Sequence, residues 1–130
     1  MSTLFTKIIK GEIPCHKIHE NDRFFAFLDI RPISKGHTLV IPKVEVDVFF
    51  QLDDQHLSEI LTFAKPISNA IEAVVPCNRI GLMVAGLEVP HAHVHLVPIT
   101  EITQLSFAYA KPANQEDLAK LSEEIRKKLI

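Results

Sequence analysis

Apolar residues in the first ten positions recur at helical steps, with Leu4, Phe5, Ile8 and Ile9 on one side, which predicts a short helix from Leu4 to Lys10 stopped at Gly11. Short extended runs follow. Lys17 to Glu20 predicts one strand, and the aromatic-rich run from Phe24 to Ile30, closed by Arg31-Pro32, predicts a stronger one with Asp29 at its tail. After the turn residues Ser34-Lys-Gly36, the segment His37-Thr-Leu-Val-Ile41 predicts a strand that starts at His37 and ends before Pro42-Lys43.

The longest periodic stretch carries Leu57, Ile60, Leu61, Ala64, Ile67, Ile71 and Val74 at three- and four-residue steps behind Asp53 or Asp54 as a cap, which predicts a long helix. Pro66 lies inside it and predicts a kink or break near Phe63. Arg79 to Val84 and His91 to Pro98 predict two strands joined as a hairpin by Ala85-Gly-Leu-Glu-Val-Pro90. Asn114, then Glu116 and Asp117, then the stripe Leu118, Leu121, Ile125, Leu129, predict a closing helix with acids at its start and Arg126-Lys-Lys128 at its end. The sum is an α+β chain: an antiparallel sheet of about five strands, one long helix packed on it and a C-terminal helix.

A chain of 130 residues, 47% apolar, suits one domain over 1–130 with a core that needs neither disulfides nor metal. The formal charge of -2 leaves no broad basic field for a nucleic-acid backbone, so a small charged metabolite is the expected partner. Cys15 and Cys77 form no CxxC or zinc spacing and are expected as free thiols. No window resembles a membrane span or a leader, so the expected compartment is the cytoplasm.

The chemistry concentrates in His91-Ala-His93-Val-His95. Side chains alternate along an extended segment, so the three imidazoles share one side and Ala92, Val94 and Leu96 take the other. Such an array suits zinc ligation, or phosphate chemistry in which one imidazole attacks phosphorus and its neighbours supply hydrogen bonds and protons, or an inert surface. Spacing alone leaves these alternatives open.

The run His91-Ala-His-Val-His-Leu-Val-Pro98 resembles the His-φ-His-φ-His-φ-φ pattern of the histidine triad (HIT) superfamily, where φ is apolar. Leu4-Phe-Thr-Lys-Ile-Ile-Lys-Gly-Glu-Ile-Pro14, Phe27-Leu-Asp-Ile-Arg-Pro32 and Gly36-His-Thr-Leu-Val-Ile-Pro-Lys43 resemble its Hint-like, nucleotide-binding branch, in the same order. The resemblance implies a single HIT-like domain, a two-fold homodimer, and hydrolysis at the α-phosphate of nucleoside phosphoramidates or related conjugates through a nucleotidyl-histidine intermediate. It makes His93 the nucleophile, with His91 and His95 orienting it and contacting phosphate and His37 behind the array. Asp29 would hold ribose hydroxyls, and Leu4, Phe5, Ile8, Phe27 and Ile30 would sandwich a purine. Two other activities fit the same resemblance: cleavage of dinucleoside polyphosphates, and nucleotide binding by a regulatory module with weak turnover.

The chain also departs from that branch. The loop Met83-Val-Ala-Gly-Leu-Glu-Val-Pro90 is shorter, lacks the family's Asn, and puts Glu88 where related enzymes carry Ser, Thr or Gln. An ionised carboxylate accepts hydrogen bonds and repels anions, so Glu88 is protonated, or points away, or meets a cationic part of the substrate. Zinc-bearing members carry Cys, Cys and His where this chain has Thr3, Thr6 and Glu45. Hydroxyls are poor zinc ligands, so neither a metal nor another cofactor is expected. His16, His19 and His56 belong to no constellation and are expected at the surface.

Overall fold

The computed structural model describes residues 2–129. Five antiparallel strands, β1 (Lys17–Glu20), β2 (Phe24–Leu28), β3 (Thr38–Pro42), β4 (Arg79–Met83) and β5 (Val94–Ile99), form one sheet in the order β1-β2-β3-β5-β4. Helix α1 is Leu4–Ile9, α2 is Asp54–Val74 and α3 is Gln115–Arg126. Each has its side-chain N-cap, Thr3, Asp53 and Asn114 respectively, which satisfies backbone N–H groups that the first turn leaves open.

The alternation along the strands sorts the sheet into two faces. Phe24, Ala26, Leu28, Val40, Val94 and Leu96 pack beneath α2 and α3 with Ile60, Ile67, Ile71, Leu118, Leu121 and Ile125. Phe25, Phe27, Leu39 and Ile41 face the other way and pack with Phe5 and Ile8 of α1. Strands covered on both faces lose the polar-out positions of an open sheet, hence the unbroken buried runs of β2 and β3, apolar but for Thr38.

Four expectations shift. Pro66 does not break α2, which runs unbroken as a helix of 21 residues. Pro66 and Thr62 are both exposed, so the carbonyl that loses its intrahelical partner faces water. Leu61 points outward at 54% exposure, while Phe63 and Ala70 take core positions in the same helix.

The third strand starts at Thr38, one residue after His37, and the fifth starts at Val94 rather than His91. The ladder between β3 and β5 ends at Val40↔Val94. Pro42 has no N–H to extend it, and the Ala92 N–H donates instead to the carbonyl of Val46 at 2.7 Å. Gly36, at φ 94°, turns the chain into β3 with side chains of Val75, Ile71 and Pro98 within 3.1–3.2 Å of where a Cβ would stand. Only glycine fits that turn without strain.

Candidate active site

The face of the sheet that carries α1 also carries the histidines. β5 turns Val94 and Leu96 into the helix-side core, so His95 emerges on the opposite face, level with Leu39 of β3 and Met83 of β4. His93 and His91 continue that side in the extended segment before the strand. A cavity of about 540 Å3 opens there between α1, β2 and the loops, lined by His93, His95, Asp29 and Glu88 among others. Leu4, Phe5, Ile8, Phe27 and Ile30, the residues expected around a base, all line it too. Leu4 is 47% and Ile30 56% exposed, an open apolar mouth that a flat ligand would cover. His91 and His37 do not line it.

Backbone partners fix the ring tautomers. The N–H of Ile33 donates to Nδ1 of His37 at 2.9 Å, so the proton of neutral His37 sits on Nε2. That Nε2–H donates to Nδ1 of His95 at 2.9 Å, which puts the His95 proton on its own Nε2, a donor facing the cavity. On the other side, Nε2–H of His91 donates to the carbonyl of Pro42 at 2.8 Å, and Nδ1–H of His93 donates to the carbonyl of His91 at 2.7 Å. The Nε2 of His93 is therefore a bare lone pair with no partner among the described residues. One lone pair and one N–H, on rings with centroids 4.9 Å apart, face the same space.

His91 differs from its neighbours. It is fully buried, with both nitrogens engaged, since its Nδ1 accepts from the Thr3 hydroxyl at 2.8 Å. Its carbonyl accepts from His93, and its ring does not line the cavity where the phosphate contact was expected. Phe5 stands edge-on to His91 and His93, at 5.7 and 5.0 Å between centroids.

Burial pushes His37 down to about 4 and His95 down to about 3, with repulsion between neighbouring histidines adding to both. Burial also lowers His91. His95 is thus a neutral hydrogen-bond donor and not a source of protons near pH 7. Burial raises Asp29 against the hydrogen bond from the Arg31 N–H, and the charge of Glu88 adds to the rise. Asp29 Oδ1 caps the turn by accepting from the Arg31 N–H at 2.9 Å, so it serves the turn and lines the cavity at once. Glu88 does not point away, since it also lines the cavity.

These shifts set an acid response. A histidine lowered in the fold titrates near 6.5 once unfolded, so the unfolded chain binds more protons as pH falls. The stability held by His37 and His95 is full above about 6.5 and is lost on the way down to about 4 and 3, with His91 losing in the same sense. Raised Asp29 acts the opposite way, while the lowered carboxylates Glu20, Glu45 and Asp53 lose stability in the same sense as the histidines at the acid end. Thermal melts should fall steadily between pH 7 and pH 4. A flat melting temperature across that window would contradict the buried neutral rings.

Asp29, His37 and His95 are the described residues that cluster closely enough to suggest a cation. They do not fit one. The two nitrogens lie 2.9 Å apart along a hydrogen bond, whereas two nitrogens on one tetrahedral zinc stand roughly 3.3 Å apart. Ligation through His37 Nε2 would also move its proton to Nδ1, against the Ile33 N–H. Thr3, Thr6 and Glu45 likewise bond to one another and to His91.

The HIT domain model matches residues 10–102. The chain belongs to the HIT family. Among relatives of this HIT protein is the adenosine 5'-monophosphoramidase hnt1 of Schizosaccharomyces pombe, 38% identical over 99% of each chain. Among solved structures, a HIT-like protein of Bartonella henselae described as involved in cell-cycle regulation superposes with TM-score 0.86 at 28% identity, over 98% of this chain and 96% of that one. A Zn-bound histidine triad protein of Mycobacterium smegmatis gives 0.84 at 26%, over 99% and 94%.

The triad, Asp29, Glu88 and the apolar lining were all accessible to sequence reasoning for this HIT chain. Phe107 was not. It stands edge-on to His95 at 5.1 Å and lines the cavity with Ala110, from an irregular segment with no periodicity to flag it. Arg31, Val89, Ile13 and Cys15 were also missed as lining residues. His19 lies at the surface, stacked on Phe63, whereas His16, bonded to Gln115, and His56, bonded to Asp53 at the start of α2, are half-buried, contrary to the surface position expected of them.

Proposed function

We propose that this HIT protein hydrolyses nucleoside phosphoramidates through a nucleotidyl intermediate on His93. The chain is a HIT-type nucleotide hydrolase, similar over its length to named phosphoramidases. The observation that carries the finer reading is the pairing of a free Nε2 lone pair on His93 with an Nε2–H on His95 at one cavity wall.

In the first step the His93 lone pair forms a bond to the α-phosphorus. The bond from phosphorus to the amine nitrogen breaks, and its electron pair leaves with the amine, which has taken a proton from solvent. The His93 ring becomes a cation, steadied by the His91 carbonyl on Nδ1–H. His95 donates to a phosphoryl oxygen as charge builds there. Water then attacks phosphorus, the bond to His93 breaks, and a proton is released. Asp29 accepts from ribose hydroxyls, and a purine lies between Leu4, Phe5 and Ile8 on one side and Phe27 and Ile30 on the other.

Glu88 favours an amine leaving group over a polyphosphate. A carboxylate lining the cavity beside Asp29 repels further anionic charge and accepts from a protonated amine. Rapid quench without acid, followed by intact mass, tests the reading. Incubation with adenosine phosphoramidate should give a transient nucleotidyl mass increment mapped to His93, with amine release. Steady turnover with no adduct at any time point, or an adduct on another residue, would overturn it.

The same proposal includes a homodimer. β4 is an open edge of the sheet, and Leu82, Val84 and Leu87 on it and just beyond are exposed, Leu87 at 92%. Sedimentation at micromolar concentration should show two copies. A monomer at every concentration would remove the dimer.

A further inference from the structure

The amino-terminal segment is tied to the triad by a chain of hydrogen bonds that neither substrate contact nor the sheet requires. Glu45, in the loop after β3, accepts from the Thr3 N–H at 2.8 Å and from the Thr6 hydroxyl at 2.6 Å. The Thr6 hydroxyl donates to Glu45, so its oxygen, 3.1 Å away, competes for the single Thr3 proton; the Pro42 carbonyl holds the proton of neutral His91 on Nε2, so the Thr3 hydroxyl donates to His91 Nδ1 at 2.8 Å. The same Thr3 oxygen accepts the Thr6 N–H and so caps α1. The loop after β3 holds the other side of the triad as well, through the Pro42 carbonyl on His91 Nε2–H and the Val46 carbonyl on the Ala92 N–H.

We infer that Thr3, anchored by Glu45, is a positioning residue that completes the hydrogen bonding of His91 and, through the His91 carbonyl, sets the aim of the His93 lone pair. The chain of causes is short. The Pro42 carbonyl holds the His91 proton on Nε2, and the Thr3 hydroxyl donates to the Nδ1 lone pair that this leaves. Both bonds hold the His91 peptide still, and its carbonyl takes His93 Nδ1–H. Helix α1 carries Leu4, Phe5 and Ile8 on the cavity, so the residue that starts this helix also touches the triad. Packing of a base against α1 and alignment of the nucleophile are thereby linked through one side chain.

The inference rests on His93 as nucleophile, and its test separates the two. Thr3→Val removes the donor and the cap together. Thr3→Asp keeps an acceptor for the cap but cannot donate to His91. Thr3→Ser keeps both. Valine and aspartate should each lower kcat by roughly 10- to 100-fold with little change in KM, the range for losing a partner that orients a histidine. Serine should restore turnover relative to valine.

Nitrogen-15 NMR of the imidazoles gives a readout independent of turnover. The unsubstituted protein should show His91 protonated at Nε2 and His93 at Nδ1, and Thr3→Asp should draw a proton onto His91 Nδ1. An aspartate variant with unchanged kcat and unchanged His91 nitrogens would overturn the inference, as would equal losses in serine and valine. If the unsubstituted protein turns over no phosphoramidate, the proposed function fails while the NMR signals still decide the role of Thr3.

Discussion

Replacing His93 with alanine should lower kcat for a nucleoside phosphoramidate by about a million-fold, the scale seen when an activated nucleophile is removed. The reason is local. Among the described residues that line the cavity, His93 alone presents an imidazole lone pair, because His95 has its proton on the cavity side and its lone pair on His37. His91 cannot substitute, being buried with both nitrogens bonded. Nucleotide affinity, read by titration calorimetry, should change little, since the apolar walls and Asp29 remain. A variant that keeps turnover within about tenfold, or under 1.4 kcal/mol of barrier, would exclude His93 as nucleophile.

His95→Ala should cost about 100- to 1000-fold in kcat with KM nearly unchanged, as for loss of one donor to developing charge. The effect has a second origin. Without His95 Nδ1, the buried Nε2–H of His37 loses its hydrogen bond and keeps only the more distant Asp29 Oδ2 at 3.6 Å, a penalty of about 1–3 kcal/mol against the fold. His95→Gln offers an acceptor to His37 and a donor to the cavity, so it should recover stability fully and turnover in part. Equal turnover in alanine and glutamine variants would mean the donor has no role at phosphorus. Steady-state kinetics and thermal melts on both variants decide this.

The period of two in His91-Ala-His-Val-His95 placed all three rings on one side, and the structure keeps them there, because Val94 and Leu96 are claimed by the helix-side core. What the period could not reveal is that the three rings differ. His91 has both nitrogens taken by Pro42 and Thr3, both distant in sequence, and His95 is made a donor by Ile33 acting through His37. Pro66 misled for a related reason. Its effect depends on whether Thr62 faces water, which periodicity does not report. Phe107 was invisible because it reaches His95 from a segment of short 3-10 turns whose position is set by tertiary contacts.

The sheet divides its labour. Beneath α2 and α3 lies the larger cluster, reaching from Ile18 to Ile125, whereas among the described residues the buried apolar cluster on the α1 side is Phe5, Ile8, Phe25, Phe27, Leu39 and Ile41. Most of the buried apolar packing therefore sits on the side of the sheet away from the histidine-lined cavity. Exchange of cavity residues such as Leu4, Ile30 or Glu88 would therefore reshape the proposed substrate pocket while leaving the larger core untouched.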